Sequence, residues 1–92
     1  MATKHTELHV TPTRCEATRD GPTAFVEYRV RNGTADLLHT GVPPELRGRR
    51  IGSELVRLAL DWARDQQLKI IPSCPFVAAW LQRHPEYSDL AA

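Results

Sequence analysis

The chain has 92 residues, 41% hydrophobic and 25% charged, with a formal net charge of +1. That size suits one domain around one core, so residues 1–92 are expected to form a single compact domain with little room for a deep private pocket. The near-neutral charge supplies no bulk field toward nucleic acid or a membrane surface, and no apolar run is long enough to cross a bilayer.

In chain order, residues 1–5 read as a frayed end. Leu8 and Val10 alternate with polar neighbours, which suits a short strand stopped by Pro12. Residues 14–19 read as a second strand, and Asp20-Gly21-Pro22 as a turn. In residues 24–31, Val26, Tyr28 and Val30 alternate with Glu27, Arg29 and Arg31, the pattern of a half-buried strand. Asn32-Gly33 is the strongest hairpin signal in the chain, so the strand over residues 35–42 should pair antiparallel with the one before it. Pro43-Pro44 cannot donate to a ladder and ends that strand. Ile51, Leu55, Leu58, Ala59 and Trp62, widened by Val56, Leu60 and Ala63, predict an amphipathic helix over residues 50–66. Residues 68–71 read as a short strand beside the sheet. Ser73 or Cys74 then caps a second helix over residues 75–83, with Pro75 at its first position and Phe76, Ala79, Trp80 and Arg83 at helical spacing. Pro85 ends it, and Tyr87 and Leu90 should pack the tail down. The order predicts an α/β (α+β) layer, with helices on a mostly antiparallel sheet.

Chemistry concentrates in two places. Residues 39–53 carry Arg47, Arg49 and Arg50 with Gly48 and Gly52 at the start of the first helix. Glycine lets backbone approach a ligand, the first helical turn presents unpaired N–H groups and the positive dipole end, and guanidinium pairs with phosphate. Such a loop is a site for a phosphate or pyrophosphate; the plainer reading is a solvated basic loop. Its spacing fits neither the nucleotide-hydrolase P-loop nor the dinucleotide fingerprint. Cys74, at a helix start, has its thiolate favoured by the dipole, which makes it a candidate nucleophile or general acid/base; the plainer reading is a small buried hydrophobe. Cys15 reads as incidental, and two cysteines are too few for a disulfide framework. His5, His9, His39 and His84 have no metal-ligand spacing, so no metal site is expected. A nucleic-acid surface at Arg47 to Arg50 is disfavoured because no aromatics interleave with the basic residues. With no signal-peptide core and no long apolar edge or heptad seam, a cytoplasmic monomer with free thiols is expected.

Loop and cysteine together resemble a known family. The segment His39-Thr40-x-Val42-Pro43-x-x-Leu46-Arg47-Gly48-x-x-Ile51-Gly52-Ser53 resembles the acetyl-CoA-binding signature of the GNAT acetyltransferases, Arg/Gln-x-x-Gly-x-Gly/Ala at a helix start. Ile71-Pro72-Ser73-Cys74-Pro75-Phe76-Val77, with Arg83-His84-Pro85, is similar to the compact single-domain branch described as YjdJ-like or NATD-like. The resemblance covers residues 24–90. It implies a GNAT-like fold shortened at the N-terminus, acetyl-CoA or CoA as substrate, and N-acetyl transfer to a protein, peptide or small amine. The alternative is a CoA- or acyl-CoA-binding module without efficient turnover. Carried over by position, Arg47, Gly48, Arg49, Arg50, Ile51, Gly52 and Ser53 would hold the pyrophosphate. His39, Thr40, Gly41 and Val42 would line the pantetheine arm, and Cys74 would be the catalytic thiol near the thioester. Two positions depart from the pattern. Arg50 stands where the superfamily usually has a central glycine, which a helical φ/ψ would accommodate. Gly41 stands where many close relatives carry an acidic residue, which removes a possible general base. The length leaves no room for the N-terminal helices that wall the acceptor site in larger members, so an open acceptor side is expected.

Overall fold

The computed structural model describes residues 6–19, 21–48 and 50–92. The expected frayed end at residues 1–5, Asp20 of the predicted turn and Arg49 of the basic loop lie outside the described residues. Strands β1 (Thr6–Val10), β2 (Arg14–Arg19), β3 (Thr23–Arg31) and β4 (Thr34–Gly41) form an antiparallel meander. Helix α1 (Ile51–Asp65) leads back to β5 (Lys69–Ile71), which pairs parallel with β4. Helix α2 (Pro75–Gln82) and a 3-10 segment, Pro85–Leu90, follow. The sheet order is β1-β2-β3-β4-β5. A parallel last pair needs a crossover, and α1 supplies it.

Local chemistry sets these boundaries. Asn32 and Gly33 both take left-handed backbone angles (φ 52° and 76°), the requirement of the turn that matches strand twist in a two-residue hairpin. Thr34 accordingly pairs with Arg31, and β4 starts one residue earlier than its apolar pattern suggests. After Gly41, Pro43 leads into a 3-10 turn, Pro44–Leu46, whose Leu46 is buried and pins the loop to the core.

One face of the sheet is covered. Ala17, Ala24, Val26, Ala35 and Leu37 are fully buried, as are Leu55, Val56, Ala59, Leu60 and Ala63 of α1. The small sheet residues let the helix lie close, and each large apolar side chain so buried stabilises by about 1.5–3 kcal/mol. The opposite face presents Arg14, Phe25 and Glu27 together with the exposed His39. Three expected faces are corrected. In α1 the deepest stripe runs through Ile51, Gly52, Leu55, Val56, Ala59, Leu60 and Ala63, while Leu58 and Trp62 flank it half-buried. In α2 the buried residues are Val77 and Trp80, and Phe76 faces out. Val30 does not share the burial of Val26 and Tyr28, because the alternation lapses toward the hairpin end of β3.

An irregularity in β4 shapes the rest of the molecule. Tyr28 pairs with Leu37 but Glu27 pairs with His39, so Leu38 is an extra residue on β4. A bulge of this kind reverses the alternation of side chains beyond it. Ala35 and Leu37 point into the core before it; after it, Thr40 and Val42 take that face, Val42 packs against the core, and His39 and Gly41 turn outward toward Phe25.

Candidate functional site

The site begins where β4 and β5 part. Their pairing ends at Asp36 and Ile71. Pro72 breaks the ladder, Ser73 Oγ donates to Asp36 Oδ1 (2.5 Å), and the Cys74 N–H donates to the Leu37 carbonyl (2.9 Å). Beyond that bond, among the described residues, no strand pairs with β4 on its β5 side, so its main chain through Gly41 is an open edge.

The edge leads to the arginine loop. Arg47 Nε donates to the Val42 carbonyl at 3.3 Å, folding the loop back over the strand end. Gly48 has φ 78°, a conformation that suits glycine. Arg50 is the residue before the first helical turn and is also left-handed (φ 60°, ψ 16°), so the expectation of a helical φ/ψ there is corrected. A left-handed non-glycine residue costs roughly 1–2 kcal/mol. Arg50→Gly is therefore expected to stabilise the fold by about 0.5–1 kcal/mol, part of the relief being offset by a freer unfolded chain. An equal or lower thermal midpoint would contradict that.

Helix α1 starts without a side-chain cap. Among the described residues, no acceptor meets the N–H groups of Ile51, Gly52 or Ser53. Facing them is α2. An ideal Cβ on Gly52 would lie 3.0 Å from Phe76 Cζ and 3.6 Å from Val42 Cγ2, so glycine is what admits the aromatic ring over the turn. Trp80 Nε1 donates to Ser53 Oγ at 2.7 Å and ties the two helices together. The result is a cleft of about 470 Å³. Arg47, Gly48, Arg50, Ile51, Gly52 and Ser53 form one wall, Phe76 and Arg83 the other, and Val42 and Leu46 line it as well. No carboxylate lines it among the described residues.

Cys74 stands next along β4. It is the N-cap of α2, 5% exposed, and its Sγ lies 3.4 Å from Thr40 Oγ1. Burial pushes the thiol up, but the Thr40 hydroxyl and the backbone N–H groups of Val77, Phe76 and Thr40 together hold it below its ordinary value. Donors converging on sulfur favour the thiolate. Cys15 is the contrast: 3% exposed and without such donors, it is pushed up to about 11 and stays a neutral thiol.

The expected site residues are thus only partly brought together. Arg47, Gly48, Arg50, Ile51, Gly52, Ser53 and Val42 line one cleft. Thr40, on the strand that leads into it, and Cys74, at the start of α2, touch each other beside it. The side chain of His39 lies on the outer face, 5.8 Å from the Phe25 ring, and an ideal Cβ at Gly41 would overlap that same ring. His84 stacks on Trp80 at 3.7 Å with Nδ1 3.3 Å from Glu86 Oε2, a packing role. Among the described residues, no cluster of side chains could hold a metal ion. Sequence reasoning missed Phe76, Trp80 and Arg83 as parts of the site. Phe76 and Arg83 lie seven residues apart, two helical turns, so their shared face was readable from the helical spacing, but spacing alone gave it no place in the site.

A five-stranded sheet opened beside a helix N-terminus is the architecture of the GNAT class, and known proteins place the chain there. The family profile described as GCN5-related N-acetyl-transferase matches residues 14–90, and the chain belongs to that family. Among its relatives is Protein NATD1 of Danio rerio, 33% identical over 78 residues, which cover 83% of this chain and 70% of that protein. Protein NATD1 of Homo sapiens is 32% identical over 72 residues, covering 78% of this chain and 63% of that one. The solution structure of a GCN5-like protein from Staphylococcus aureus superposes with a TM-score of 0.74 at 31% identity, covering 94% of this chain and 87% of its own.

Proposed function

We propose that the chain is an acetyl-CoA-dependent N-acetyltransferase with a protein, peptide or small amine as acceptor. The observation that carries this reading is the continuity of the arginine-lined cleft at the α1 N-terminus with the open edge of β4 and the Cys74 thiol beside Thr40. The residues present fit CoA. The N–H groups of Ile51, Gly52 and Ser53, which meet no acceptor among the described residues, suit a pyrophosphate together with the Arg47 and Arg50 guanidinium groups. The edge of β4 that faces away from β3, from His39 to Gly41, suits the amides of an extended pantetheine arm, laid along it as an added strand would be. Val42 and Phe76 keep water from the middle of that path.

When bound, acetyl-CoA supplies the activated acetyl group. The chain's own residues hold the phosphates, align the arm, and present β4 N–H groups to the oxygen where charge develops. With no acid at position 41, and the Phe25 ring filling the space a side chain there would need, the proton-accepting or nucleophilic group in this reading is the Cys74 thiolate. The outer face of the sheet, where Phe25 and His39 lie, leaves the acceptor side open.

Release of free CoA thiol from acetyl-CoA, with lysine peptides and small amines as acceptors, tests the reading. Turnover above the buffer rate is expected. CoA binding with no transfer to any amine would leave the chain as a CoA-binding module.

A further inference from the structure

We propose that Arg83 reads the 3′-phosphate of CoA, so that the site separates CoA from its 3′-dephospho form; this rests on the CoA reading above. Charge and placement both point there. The pyrophosphate is already answered on one wall, by the N–H groups of the first α1 turn and by Arg47 and Arg50. Arg83 adds a further cation on the opposite wall. Among the described residues, no carboxylate pairs with Arg47, Arg50 or Arg83, and none lines the cleft. A cation at a helix C-terminus can serve the helix alone. Arg83 does follow the last residue of α2, but its side chain donates to none of the described carbonyls and instead lines the cleft.

Position along α2 decides which phosphate it meets. Phe76, on the same face, closes over Gly52 at the pyrophosphate turn. Arg83 stands two helical turns further along, about 10 Å away. The pantetheine arm leaves the pyrophosphate in the other direction, along β4 toward Cys74. The part of the ligand that reaches Arg83 is therefore the phosphorylated ribose.

The test is calorimetric titration of the full chain with CoA and with 3′-dephospho-CoA at one ionic strength, on wild type, Arg83→Gln and Arg83→Lys, each checked for its thermal midpoint. Wild type should prefer CoA by about tenfold, the scale of one partly exposed charge-assisted hydrogen bond. Arg83→Gln should weaken CoA alone and abolish the preference, and Arg83→Lys should restore part of it. Equal wild-type affinity for the two ligands overturns the proposal whether or not the variants fold. So does an Arg83→Gln variant that weakens both ligands equally, which would place Arg83 on the pyrophosphate. Failure of wild type to bind either ligand would remove the CoA reading itself and this inference with it.

Discussion

Cys74→Ala is expected to lower the acetyl-transfer rate by roughly 10²–10⁴-fold while leaving CoA affinity unchanged, the range for losing a positioned proton-transfer group. The thiol belongs to the N-cap residue of α2, touches Thr40 Oγ1 at 3.4 Å and does not line the phosphate cleft, so its loss should reach the chemistry and spare binding. The pH profile follows from the direction of its shift. A thiol held below its ordinary value in the folded chain is ionised at a pH where the unfolded chain would still be protonated. Activity should therefore rise with pH through that lowered value, on an acid limb below the range of a free thiol. Thr40→Val removes the hydroxyl at sulfur and should move the limb to higher pH. The same linkage means that the thiolate stabilises the fold above the unfolded thiol's value, and that this contribution is lost as pH falls through the folded one. A Cys74→Ala enzyme with the wild-type rate would exclude the thiol from both roles.

Trp80→Ala should destabilise the fold by about 3–5 kcal/mol, the cost of truncating a buried aromatic. Trp80 is 1% exposed, stacks on His84 at 3.7 Å and bonds Ser53 Oγ at 2.7 Å. That bond is what joins α2 to the first turn of α1. Trp80→Phe keeps most of the volume but strips Ser53 of its donor, and should cost about 1 kcal/mol. If both variants melt with wild type, the two helices are held by other contacts.

Much of the fold was legible because its signals are local. The alternation before Asn32-Gly33 marked β3, that dipeptide announced the hairpin and the antiparallel β4 after it, and Pro75 marked the start of α2 with Cys74 before it. The arginine loop was legible for the same reason: glycine and guanidinium chemistry is written in adjacent residues. What the sequence did not disclose depends on pairing across the chain. The extra residue at Leu38 is visible only in the β3–β4 register, yet it turns Thr40 toward Cys74 and His39 away. Arg50 occupies a left-handed conformation although its side chain carries no sign of one, because the geometry of the helix start outweighs its local preference. Phe76 and Arg83 have helical spacing that fits a core face equally well. Only the packing of α2, which buries Val77 and Trp80 instead, turns that pair toward the cleft.

Calorimetric titration with CoA, on wild type and on an Arg47→Ala/Arg50→Ala variant of confirmed fold, tests the central claim most directly. The account predicts micromolar binding, about −8 kcal/mol, weakened at least roughly tenfold in the variant as charge-assisted phosphate contacts are lost. Wild-type chain that takes up no CoA at millimolar ligand, or a variant that binds as tightly as wild type, would contradict it.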